Sequence, residues 1–104
     1  MIKTGAGHFW ITFDNGYTLS LFNGFGSYTE NHFNYKKQNE IMKHNEPDEW
    51  ESEQIEIAII KEDLGFVTQD IIKEANDIVM TINTNELVEI INKVSKLGDT
   101  NVKD

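Results

Sequence analysis

Two runs near the start of the chain alternate apolar and polar positions with a period of two: His8 to Phe13 and Tyr17 to Phe22. Both are rich in aromatic and β-branched residues, and Asp14-Asn15-Gly16 lies between them. This pattern predicts a β-hairpin. A two-residue loop would pair Phe13 with Thr18 and mix the two faces. A three-residue loop pairs Phe13 with Tyr17, Ile11 with Leu19 and Phe9 with Leu21, and sets Trp10 against Ser20 and Thr12 against Thr18. A one-residue slip moves every side chain to the other face, so the consistent register is expected. Gly16 then occupies the left-handed position of a bulged turn, which glycine adopts without strain.

Further along, Asn23-Gly24-Phe25-Gly26 breaks the alternation. Tyr28 to Tyr35 reads as an irregular third strand. Residues 36–52 contain Pro47 and little apolar periodicity, which predicts a long acidic loop. From Glu53 to Lys61, Ile55, Ile57 and Ile59 alternate with Gln54, Glu56 and Ala58, the pattern of a half-buried strand. Glu62 to Gly65 reads as a turn. Residues 68–82 fit either a helical stripe through Ile71, Ala75, Ile78 and Ile82 or two short strands around a turn at Glu74–Asp77. The β-branched density of residues 78–82 favours the strands.

The last element is a helix over 84–97. Asn83 or Thr84 supplies the cap, Glu86 sits in the first turn, and Leu87, Ile90, Ile91, Val94 and Leu97 form one apolar face. Gly98 reads as its stop signal. The sum is a single α+β domain over 1–98: an antiparallel sheet of four to five strands that begins with the N-terminal hairpin and packs against one C-terminal helix. Residues 99–104 are expected to fray.

Composition narrows the function. The 104 residues carry 18 Asp and Glu against 9 basic residues, all Lys, for a net charge of −9. Direct binding to nucleic acid or to an anionic membrane is disfavoured. With no Cys, a disulfide framework, a thiolate zinc site and a cysteine nucleophile are excluded. No apolar run approaches a membrane span, and the first residues lack the apolar region of a secretory signal, so a cytoplasmic protein is expected. His8, His32 and His44 lack metal-ligand spacing, and no serine has a triad context. Gly24-Phe25-Gly26 has no helix signal after it, as a phosphate loop would need. No catalytic residue, metal or cofactor is therefore predicted, and the chain is read as a non-enzyme.

Two features could bind a partner. Trp10, Phe22, Phe25, Tyr28, Phe33, Tyr35 and Trp50 exceed what one hairpin face needs. They form either a satellite cluster under the 28–50 segment or an exposed aromatic patch. The second feature is the acidic run Glu46, Asp48, Glu49, Trp50, Glu51 and Glu53. It is either a solvated loop or a surface whose carboxylates stand where phosphates would, with Trp50 as an anchor.

Trp10, Phe13, Asn15, Gly16, Thr18 and Ser20, followed by Gly24, Gly26 and Tyr28, then Glu56, Ala58 and Ile59, and lastly Glu86 to Ile90, carry a resemblance. Together they resemble a loose group of small phage and prophage proteins that share such a hairpin. The resemblance, with the charge, implies a phage inhibitor or accessory protein, anti-CRISPR-like, that binds a host defence protein through that protein's basic nucleic-acid-binding surface. A homodimer is compatible with this reading. The alternatives are a small homo-oligomeric viral assembly protein and a carboxylate and Mg²⁺-dependent hydrolase.

Overall fold

The computed structural model describes residues 1–44 and 49–98, except for the side chain of His44. The chain is α+β, as the pattern predicts. In chain order it forms β1 (Ile2–Thr4), β2 (His8–Thr12), β3 (Tyr17–Phe22), α1 (Tyr35–His44), β4 (Trp50–Ser52), β5 (Gln54–Lys61), β6 (Gly65–Phe66), α2 (Thr68–Ile71), β7 (Met80–Asn83) and α3 (Thr84–Ser95). The main antiparallel sheet runs β2-β3-β5, with β6 and β7 both pairing with β5.

The hairpin has the three-residue loop. Phe9 pairs with Leu21, Ile11 with Leu19, and Trp10 with Ser20. The Phe13 N–H donates to the Tyr17 carbonyl at 2.8 Å, and Gly16 has φ +87. Tyr17, Leu19 and Leu21 of β3, Ile55, Ile57 and Ile59 of β5, and Ile82 of β7 lie on one face and are buried. The apolar stripe of α3 covers them, with Val94 fully buried and Leu87, Ile90, Ile91 and Leu97 packed around it. Asn83 ends β7 and caps α3. Its side chain accepts the Glu86 N–H, and the Glu86 carboxylate accepts the Asn83 N–H, each at 2.9 Å. This reciprocal box ties down two of the donors that a helix start leaves open.

Four expectations are corrected. The 36–52 segment is not a loop throughout: it holds all of α1 but its first residue, and all of β4. The Asn34 side chain accepts the Lys37 N–H at 3.1 Å and starts α1, in which Lys, Gln, Glu and Met are good helix formers but no apolar stripe runs. The 28–34 segment is a series of turns, not a third strand. Between the two readings of 68–82 the outcome is mixed, a one-turn helix followed by irregular chain and then β7. Finally, α3 stops at Ser95, short of 97. Its end closes on Lys93 O and Val94 O through three-residue bonds from Lys96 and Leu97. The predicted tail, 99–104, lies outside the described residues.

One unit has no counterpart in the expected sheet. β1 and β4 form their own antiparallel pair, with Ile2 opposite Ser52 and Thr4 opposite Trp50. Among the described residues, no helix is long and apolar enough to cross a membrane.

Candidate partner-binding surface

The period-two alternation of β4 sorts the acidic run into two faces. Trp50 and Ser52 point inward, while Glu49, Glu51 and Glu53 are exposed. Trp50 is only 4 % exposed. It lies over Gly7, where a Cβ atom would come within 2.9 Å of its ring. The tryptophan is therefore held by its own chain, and the anchor role expected of it is not available in this conformation. Glu46 and Asp48 lie outside the described residues.

The exposed acids have cations of their own chain nearby. Lys3 Nζ lies 3.6 Å from Glu49 and 3.7 Å from Glu51, because the β1–β4 register sets Lys3 directly opposite Glu51. The N-terminal amine lies 3.7 Å from Glu53. These are solvent-exposed pairs, worth less than about 1 kcal/mol each.

Beside this row, residues 23–34 form a loop with a buried polar centre. Thr4 Oγ1 donates to Asn23 Oδ1 at 2.6 Å, and Asn23 Nδ2 donates to the Trp50 carbonyl at 3.2 Å and to Ser52 Oγ at 3.1 Å. Asn31 Nδ2 donates to the carbonyls of Asn23 at 2.8 Å and Glu51 at 2.9 Å. Ser27 Oγ donates to the Gly24 carbonyl at 2.7 Å. Asn23, Ser27, Thr29 and Asn31 are all buried. In a low-dielectric interior such bonds hold the backbone to one arrangement, since breaking any of them strands a buried polar group.

What this rigid loop displays is aromatic. Tyr28 is 66 % and Phe33 69 % exposed, and Tyr35 at the start of α1 is also exposed. Their rings form a continuous row. Tyr28 stacks on His32 (centroids 5.7 Å apart), His32 meets Phe33 edge-on at 4.2 Å, and Phe33 lies 6.2 Å from Tyr35. The His32 ring is fixed by a 2.7 Å bond between Nδ1 and the Ser27 carbonyl. Of the two readings of the surplus aromatics, the satellite cluster describes Trp50 and the exposed patch describes this row. His8, the other described histidine side chain, bonds Ser20 Oγ at 2.9 Å and packs between Trp10 and Phe22.

Two hydrogen bonds join the aromatic loop to the acidic row. The Tyr28 N–H donates to Glu56 Oε1, and the Glu53 N–H donates to Glu30 Oε2, both at 3.0 Å. Glu30, Glu53 and Glu56 thus share one surface with the exposed rings. An open depression of about 370 Å³ between Tyr28 and the Glu74–Thr81 segment extends that surface. Among the described residues, no group of three or more His, Asp or Glu is placed to hold a metal ion.

The asparagine hub escapes sequence reasoning, because Asn in a Gly-rich stretch reads as solvated turn. The one available signal is the inward phase of Trp50 and Ser52 between three glutamates. No family model matches the chain, and neither a curated protein nor a solved structure matches it.

Proposed function

We propose that the chain is a non-enzymatic binding protein that engages a basic surface on a larger protein through the Tyr28–Tyr35 aromatic row and the glutamates beside it. The observation that carries this reading is the exposure of Tyr28 and Phe33 on a loop pinned from beneath by Asn23 and Asn31. Large apolar rings held rigidly in water are costly unless something covers them, and aromatic side chains are the usual anchors of interfaces. Lysine and arginine suit this surface twice, by stacking on the rings and by pairing with Glu30, Glu53 and Glu56. A net charge of −9 adds long-range attraction to such a partner. The resemblance to small phage proteins supplies the setting, a host defence or nucleic-acid-handling protein whose groove the acidic surface occupies in place of phosphates.

The test is affinity capture from a host lysate, followed by binding measurements on the captured protein. Affinity is expected to fall steeply with salt, to be competed by DNA or RNA, and to drop at least about tenfold in Phe33→Ser with an unchanged melting temperature. Binding that ignores salt and tolerates Phe33→Ser and Tyr28→Ser overturns the proposal.

A further inference from the structure

The strand β2 is an edge of the main sheet and, among the described residues, pairs only with β3. Its hydrogen-bonding parity is fixed at both ends. The Phe13 N–H donates to Tyr17, and the Gly7 carbonyl accepts from Asn23 at 2.7 Å, so positions 7 and 13 point their backbone groups toward β3. In an antiparallel ladder that orientation alternates. Phe9 and Ile11 therefore also bond inward, while His8, Trp10 and Thr12 turn their N–H and C=O groups away from the sheet. Natural edge strands are blunted by lysine, proline, a bulge or an inward charge. This one has none within it, and the sequence carries no charged residue from Gly5 to Phe13. Apolar area is left on both faces: Trp10 is 59 % exposed on the outer one, and Phe9 37 % on the inner one beside the core.

We infer that β2 is a homodimerisation edge, at which two copies of this chain join their sheets antiparallel about a two-fold axis through Trp10. The outward residues then pair Trp10 with its own copy and His8 with Thr12 of the other copy, each pair exchanging both of its backbone hydrogen bonds. On the core side Phe9 meets Ile11 of the other copy, which completes the apolar face at the rim of the sheet. The charge pattern selects a second copy over a basic partner. A lysine-rich strand finds no carboxylate on β2, whereas two copies meet there without like charges opposed. At the opposite edge, Glu74, Glu86 and Glu89 line the groove beside β7, three carboxylates against the single amine of Lys93. Two copies joined there would set carboxylates against one another. The inference is independent of the proposed partner surface, which lies on the 23–35 loop.

Sedimentation over a concentration series tests it. The expected mass rises to twice the 12.0 kDa of the chain, and the dimer strengthens with salt as repulsion between two acidic chains is screened, opposite to the trend for a basic partner. Trp10→Lys is expected to give a monomer with unchanged circular dichroism. The chain has no cysteine, so single replacements report geometry directly. In the dimer, position 10 lies about 5.5 Å from its own copy, within disulfide range, while position 12 lies about 14 Å from its own. Trp10→Cys is expected to cross-link under air oxidation and Thr12→Cys to stay monomeric under denaturing electrophoresis. A wild-type chain that stays at monomer mass to millimolar concentration overturns the inference. So does a dimer that survives Trp10→Lys, cross-linking of both cysteine variants alike, or a monomer whose Trp10 binds a foreign strand.

Discussion

The side-chain amide of Asn15 donates to the carbonyl of Val94 at 2.8 Å, and also to that of Leu97 at 2.6 Å. The hairpin turn thus closes the C-terminal end of α3, where a helix leaves carbonyls without partners. The same side chain accepts the Tyr17 N–H at 3.2 Å and so shapes its own turn. Asn15→Ala is expected to lower stability by about 1–2 kcal/mol. Asn15→Asp is expected to cost more, since a carboxylate would face two carbonyls at the negative end of the helix dipole. Thermal melts of both variants check the order; equal melting points would show the contact to be idle.

Gly16 holds φ +87 in the same turn. Gly16→Val is expected to cost more than about 1 kcal/mol through backbone strain. Leu19→Asp, at a position with no exposure, is expected to unfold the chain by burying an unpaired charge. Chemical denaturation measures the first, and circular dichroism the second.

Asn23 is the hub of the polar centre. Asn23→Leu removes both donors and an acceptor, leaving Thr4 Oγ1 and Ser52 Oγ to find other partners in a buried site. A loss of about 2–4 kcal/mol is expected. Near-ultraviolet circular dichroism should flatten with it, because Trp50 and the 28–35 rings lose their fixed surroundings.

Replacing Glu49, Glu51 and Glu53 together with glutamine is expected to change stability by less than about 1 kcal/mol, since their partners are exposed and like charges are relieved at the same time. Binding to a basic partner should weaken through slower association. Stopped-flow mixing at low and high salt separates this from an effect on dissociation.

No described residue from Tyr35 to Lys43 is buried. A ten-residue helix with no buried side chain among these is marginal in water. Its amides are expected to exchange with solvent orders of magnitude faster than those of β3 and β5, which hydrogen-exchange mass spectrometry reads directly.

The hairpin and α3 are legible in the sequence because each is a local pattern. Alternation plus Asn15-Gly16 determines one, and Asn83, Glu86 and the Leu87-to-Val94 stripe determine the other. Helix α1 is not, because its only start signal is Asn34 and no apolar stripe follows. The β1–β4 pair is three residues a side and joins distant parts of the chain, so neither strand announces the other. Charge density in the 46–53 run conceals that Trp50 belongs to the interior. The aromatic row was visible as an excess of rings; its rigid support was not, since it rests on asparagines whose burial only the tertiary contacts decide.

Strand β7 passes into α3 with no connecting residue, Asn83 closing one and capping the other. There is consequently no slack at this junction. Inserting a single residue after Asn83 would turn the helix by about 100° about its axis. Val94 would swing out of the core, and the helix end would leave Asn15 behind. Deletion would do the same in the opposite sense. Substitution can therefore alter this joint without displacing the helix, whereas a change of length cannot.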